Sequence, residues 1–216
     1  MTNINEDYIE GYIRSIIPKS NENLAAIEQY AHENHVPIIE PEVAQFMKLI
    51  LKKNKPKNIL EIGTAIGYSA IVMAQSTDGD AKITTIERRE DMANLAFNNI
   101  KSTSYSDKIK IIIGEAHEIL PLLEGKFDFI FLDAAKGQYL DFFKYCSEYL
   151  VPGGVIMSDN VLFKGMVATD DLVIRRKKTI VKRLRSYLQY INNLSGYVSC
   201  VIPIGDGVAL TYKEDR

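Results

Sequence analysis

The sequence predicts an α/β chain: a Rossmann-like, seven-stranded, mostly parallel sheet with one antiparallel strand, helices on both faces, and an N-terminal helical cap. Three observations carry this. From Lys57 onward, apolar β-type runs alternate with stretches of helical periodicity, the pattern of parallel strands joined by crossover helices. The first such run, Asn58-Ile59-Leu60-Glu61-Ile62, opens into a turn with Gly63 and Gly67 four residues apart. That is the form of a first βα unit, whose ligand crevice lies at the carboxyl end of the strand. The chain then closes on two β runs, Tyr197 to Pro203 and Gly207 to Lys213, hinged at Gly205-Asp206-Gly207. Such a hairpin places one antiparallel strand near the sheet edge.

Length and composition fit this picture. At 216 residues the chain is predicted to be a single domain, residues 1–55 forming the cap and 56–216 the core. A net charge of -2 gives no global argument for nucleic acid, so any such binding rests on a local patch. Cys146 and Cys200 lack metal-type spacing and read as reduced thiols of a cytoplasmic protein. The polar, acidic start, Thr2 to Asp7, does not form a signal peptide. No apolar run approaches the roughly 18 residues of a membrane span.

Taken in order, residues 7–17 carry Tyr8, Ile9, Tyr12, Ile13, Ile16 and Ile17 as an amphipathic stripe stopped at Pro18. The stripe suggests a homodimer contact. Residues 21–33 form a second helix with Leu24, Ile27 and Tyr30 inward, and 42–53 a third with Val43, Phe46, Met47, Ile50 and Leu51 on one face. Val36 to Pro41 is an extended, proline-bracketed link. Strands are predicted at 57–62, 82–87, 108–113, 127–132 and 154–158. Helices are predicted at 69–75, 91–101, 116–123, 138–149 and 171–193.

Candidate functional residues fall at strand ends. The glycine turn lacks the G-x-G-x-x-G of a dinucleotide loop and the Gly-Lys-Ser/Thr of a P-loop. Glu87 closes the second strand, where an acid accepts hydrogen bonds from ribose hydroxyls. Gly114-Glu115-Ala116 closes the third and is placed to frame an adenine, or else is a plain turn with a helix-start carboxylate. Asp133 ends the fourth strand, and Asp159-Asn160 the fifth. Two carboxylates and an amide oxygen on neighbouring strands suit Mg²⁺, and the absence of His or Cys argues against zinc. Lys136, three residues past Asp133, is placed to take a proton from a metal-held hydroxyl.

The turn Glu61-Ile62-Gly63-Thr64-Ala65-Ile66-Gly67-Tyr68-Ser69 resembles the first motif of class I S-adenosylmethionine (SAM)-dependent methyltransferases. With Asp133, Lys136, Asp159 and Asn160 the chain is similar, from about Pro37 to its end, to the metal-dependent, catechol-type O-methyltransferases. It is most similar to a bacterial branch, the tRNA 5-hydroxyuridine methyltransferases. Asp133-Ala134-Ala135-Lys136-Gly137-Gln138-Tyr139 and Asp159-Asn160-Val161-Leu162-Phe163-Lys164-Gly165 carry that likeness. The resemblance implies Asp133, Asp159 and Asn160 as ligands of Mg²⁺ or Mn²⁺, and Lys136 as base, with Asp133 also catalytic. It implies Ile39, Glu61, Gly63, Ser69, Glu87, Glu115, Ala116 and Asp133 around the cofactor, and Asp206 beside the substrate. The chain has no tryptophan, unlike the aromatic-walled pocket of the animal catechol enzymes.

A free metal position can chelate the two adjacent oxygens of a catechol or of 5-hydroxyuracil, so site chemistry does not separate these substrates. Lys164 and the basic segment Arg175-Arg176-Lys177-Lys178, with Lys182, Arg183 and Arg185, form a stripe able to meet phosphates, or else a solvated helix face. The resemblance favours the tRNA anticodon loop, whose single-stranded bases suit a crevice enzyme. The rivals are a small-molecule O-methyltransferase acting on catechol or caffeoyl-CoA-like substrates, and a non-catalytic SAM-binding module.

Overall fold

The β runs predicted from Lys57 onward become seven strands of one sheet in the computed structural model, which describes residues 3–215. The strands are β1 (Asn58–Ile62), β2 (Lys82–Glu87), β3 (Ile109–Ile113), β4 (Phe127–Leu132), β5 (Leu150–Ser158), β6 (Tyr197–Ile202) and β7 (Val208–Lys213). Their order is β3-β2-β1-β4-β5-β7-β6, with β7 antiparallel to both of its neighbours. No helix among the described residues is long and apolar enough to cross a membrane. Both cysteines are free, Cys146 buried and Cys200 exposed.

Residues Arg14–Leu122 form one compact unit. It holds β1–β3, all parallel, with α2 (Glu22–Glu33), α3 (Pro41–Asn54), α4 (Tyr68–Ser76), α5 (Glu90–Lys101) and α6 (Ala116–Ile119). The Asn21 side chain caps α2 by accepting the Leu24 N–H at 3.1 Å, and Pro41 opens α3, where its missing N–H costs nothing. Only Ser69's hydroxyl and the end of α4 interrupt an otherwise apolar α4, which is buried almost all round. Two expectations are corrected here. Tyr30 lies exposed and Ala31 takes the inward place one position on. The predicted helix 116–123 ends at Ile119 and continues as a 3₁₀ turn, Leu120–Leu122, because Pro121 cannot extend the α-helical ladder.

The remaining described residues form the second unit, with β4–β7, α7 (Tyr139–Tyr149) and α8 (Lys178–Asn192). Its core centres on Phe143, Tyr139 and Tyr187. Tyr187 meets the other two edge-to-face at ring-centroid separations of 5.7 Å and 5.9 Å. β5 begins four residues earlier than predicted. Phe127 pairs with Leu150 and Phe129 with Val155, so an irregularity carries Pro152-Gly153, the kind of place where a strand accepts proline. The last helix starts later than predicted, at Lys178 rather than near 171. Leu172 and Ile174 find no core and stay exposed, and the buried stripe begins only at Val181. α1 (Asp7–Ile16) has no buried residue at all: Tyr8, Tyr12 and Ile16 lie open to solvent.

Candidate active site

In the unit Arg14–Leu122, Glu87, Glu61 and Ser69 of the predicted cofactor residues gather at the glycine turn. Gly67 ends that turn in the left-handed region (φ +84°), and a Cβ there would press on Ala96 and Ile100 at 3.3 Å. Glycine is thus required both by conformation and by the approach of α5. The first turn of α4 that follows has no side-chain cap, an arrangement in which helix N–H groups can meet an anion. Glu87, nearly buried, accepts the Ala65 N–H at 2.9 Å and the Arg89 N–H at 2.9 Å. The predicted ribose acid therefore also pins the turn, since Ala65 is held at φ +45°. Gly63 is tied to β2 through its N–H, which donates to the Ile86 carbonyl at 3.0 Å.

Glu61 lies deeper than a residue that lines a crevice. It is wholly buried and accepts hydrogen bonds from the hydroxyls of Ser69 and Thr85, the latter at 2.6 Å. Thr64 bonds Thr85 in turn. Thr85 is the register partner of Glu61 across β1 and β2. Glu61 and Ser69 thus form the hydrogen-bonded floor beneath the turn. Thr85 and Thr64 belong to that floor, and sequence reasoning missed them. The available signal was a charged residue inside an apolar strand, which demands nearby donors.

Ile39 is buried on the link before α3. That link is clamped by Arg14, whose guanidinium donates to Glu42 at 2.9 Å and 2.8 Å and pairs with Glu40 at 2.9 Å. Glu115 and Ala116 open α6. Glu115 is part-exposed, and its nearest cation is Arg88 at 3.9 Å.

In the second unit the structure brings together the residues predicted to hold a metal. Leu132 and Ser158 are register partners at the ends of β4 and β5, so Asp133 and Asp159 leave adjacent strands at the same level. The Asp159 N–H donates to the Leu132 carbonyl at 2.9 Å and fixes that level. Asp159 is 1% exposed; burial and the Asp133 charge beside it push its carboxyl well above the usual range. Burial raises Asp133 as well, with Lys136 pulling the other way from 3.9 Å. Asn160 follows in the left-handed region (φ +55°), which asparagine tolerates, and its N–H donates to the Asp159 carboxylate at 2.7 Å.

Among the described residues no group of three His, Cys, Asp or Glu side chains is placed to hold a metal. The donor set is two carboxylates plus an amide, all oxygen, and it fits a hard divalent cation. Such an ion would relieve the repulsion from Asp133 that adds to burial in raising Asp159.

The loop after Asn160 is held from three sides. The Val161 and Leu162 N–H groups donate to the carbonyls of Gly207 and Asp206, at 2.9 Å and 3.0 Å. The Lys164 N–H donates to the Asp206 carboxylate, so this predicted substrate residue braces the loop. Gly207 (φ +85°) has no alternative residue: a Cβ there would sit 2.4 Å from Leu162. Arg185 of α8 donates to the carbonyls of Val167 and Met166 and pairs with Asp170 at 2.7 Å. Asn3 reaches the Lys164 carbonyl at 3.4 Å.

The predicted basic stripe divides. Arg185 is spent on the loop, Arg183 donates to the Gly137 carbonyl at 3.2 Å, and Lys177 lies 5.5 Å from the Phe163 ring centroid. Arg175, Arg176, Lys178 and the Lys164 ammonium are exposed and make no ion pair among the described residues. A shallow hollow of about 450 Å³ is lined by Gly137, Leu140, Asp141, Thr179, Lys182, Arg183 and Ser186.

A sheet of this order, with an acid-backed glycine turn after its first strand, is a class I methyltransferase fold. The chain belongs to the O-methyltransferase family: the profile of that description matches residues 18–214. It is 30% identical over 211 residues to caffeoyl-CoA O-methyltransferase 1 of Eucalyptus globulus, covering 91% of this chain and 83% of that one. It is 32% identical over 169 residues to a catechol O-methyltransferase of Niastella koreensis, covering 76% of each. Among solved structures it superposes on the O-methyltransferase TomG of Streptomyces achromogenes, determined in complex with SAM. That match has a TM-score of 0.85, 26% identity and 96% of both chains covered.

Proposed function

We propose that this chain transfers the methyl group of SAM to one of two adjacent oxygens on a phenolic small molecule of the catechol or caffeoyl-CoA kind, in a reaction that needs a divalent cation. The observation that carries the reading is the pair Asp133 and Asp159 at the ends of adjacent parallel strands, with Lys136 3.9 Å from Asp133. The relatives' names supply the substrate class. A cation held by Asp133, Asp159 and Asn160, Mg²⁺ or Mn²⁺, would supply Lewis acidity to the accepting hydroxyl. Lys136 takes the hydroxyl proton at Nζ. Glu87 and the uncapped start of α4 hold the ribose and carboxylate ends of SAM, and Ile39 and Ala116 give it apolar walls. In-line holding of the two reactants is the main source of rate.

A second reading has its own observation. The exposed cations Lys164, Arg175, Arg176 and Lys178 suit phosphates, and together with the resemblance to tRNA 5-hydroxyuridine methyltransferases they support methylation of 5-hydroxyuridine to 5-methoxyuridine at the wobble position of tRNA. One assay tests both. Labelled SAM is supplied with Mg²⁺ or with EDTA, and with caffeoyl-CoA, catechol or tRNA carrying 5-hydroxyuridine. Label in the caffeoyl ester or catechol, lost in EDTA, supports the first reading. Preferential labelling of tRNA replaces it with the second, and full activity in EDTA removes the metal from both.

A further inference from the structure

We propose that Tyr139 is a positioning residue that holds Asp133, Lys136 and Asp159 in one frame. The inference rests on the reading of these residues as a metal-assisted site. Tyr139 is the first residue of α7 and directly follows the 3₁₀ turn Lys136–Gln138, which carries the lysine. Its side chain is 1% exposed. Its hydroxyl donates to the main-chain carbonyl of Asp159 at 2.9 Å, with that of Leu132 at 3.2 Å. The Leu132 carbonyl already accepts the Asp159 N–H. One phenol therefore meets the end of β4, one residue before Asp133, and the end of β5, at Asp159 itself. Because the same residue anchors the turn that bears Lys136, three chemical groups from two strands and one turn share a single fixed point.

The plain alternative is a core tyrosine chosen for its ring. Packing alone does not require the hydroxyl, since phenylalanine fills nearly the same space. Tyr187 supplies the control within the same core. It is equally buried, touches the Tyr139 ring, and its hydroxyl bonds the Ser158 hydroxyl at 2.6 Å. That bond is to a side chain one residue short of Asp159, so removing it unburdens the core without freeing the ligand's own backbone. Groups that orient metal ligands from behind typically alter affinity 10- to 100-fold.

The experiment compares Tyr139→Phe and Tyr187→Phe with the unaltered chain, below the thermal midpoints of all three. Mn²⁺ binding is read from the electron paramagnetic resonance signal of the free ion, and SAM affinity by calorimetry. Tyr139→Phe should weaken Mn²⁺ binding about tenfold or more and leave SAM affinity in place, while Tyr187→Phe leaves both in place. Equal Mn²⁺ affinity in Tyr139→Phe and the unaltered chain overturns the frame, as does an equal loss in Tyr187→Phe. An unaltered chain that takes up no Mn²⁺ overturns the metal reading beneath it.

Discussion

Glu61 and Asp159 are buried alike, 0% and 1% exposed, and the protein treats them in opposite ways. Around Glu61 the chain supplies two hydroxyl donors, from Ser69 and Thr85, and a third hydroxyl, Thr64, behind them. Around Asp159 it supplies one backbone N–H, from Asn160, and a second carboxylate, Asp133. A buried charge with donors aimed at it holds a fold together. A buried charge set against its own kind costs stability and is kept for chemistry. The two carboxylates therefore separate the hydrogen-bonded floor beneath the glycine turn from the acidic pair proposed to hold the cation.

The largest expected effect comes from Asp159→Ala. It should lower methyl transfer by at least about 100-fold, the upper end of what residues behind a metal ligand already cost. SAM affinity, measured by calorimetry, should hold, because the glycine turn and Glu87 are untouched. Substantial transfer by this variant would break the contrast at its reactive side.

Next is Thr85→Val, which removes the buried hydroxyl that donates to Glu61. It should destabilise the chain by about 1–3 kcal/mol, read from the denaturant midpoint. A neutral result would mean that Glu61 is not a structural charge.

The smallest effect concerns pH. Burial raises the carboxyls of both Asp133 and Asp159 in the fold, so the native state binds more protons than the unfolded one. Stability of the metal-free chain should then fall as pH rises from about 4, the unfolded carboxylate value, through the raised native values. In EDTA, Asp159→Asn should flatten that fall and raise the thermal midpoint at neutral pH. A midpoint lowered by this substitution would sink the idea that the pair strains the fold.

The sheet was readable because hydrophobic runs and glycines are local signals. The ends of those runs placed Asp133, Asp159 and Glu87 at strand termini without further help. What escaped depends on pairing between distant segments. That Thr85 faces Glu61 follows from the β1–β2 register, which strand-by-strand reading does not contain. The bond from the Lys164 N–H to Asp206 spans 42 residues. Tyr139 closes one of the motifs that carry the resemblance, yet its hydroxyl's partners lie at two strand ends. The misplaced start of α8 has a local cause: periodicity extended the helix through Leu172 and Ile174, but four successive cations, Arg175 to Lys178, occupy its positive end, where the helix dipole disfavours them.

The loop from Asn160 to Gly165 also bears on how such enzymes can be recombined. Asn160, Phe163, Lys164 and Gly165 all adopt positive φ, a shape that the side chains of Phe163 and Lys164 do not prefer. Its supports come from Asp206-Gly207, from Arg185 beyond the loop and from Asn3 at the other end of the chain. The unit that fixes this loop's geometry is therefore scattered along the gene. Swapping this segment alone between homologues would transplant letters without the shape they spell. A chimera that keeps Asn3, the hairpin turn and α8 with their own loop is the smallest exchange in which its geometry travels intact.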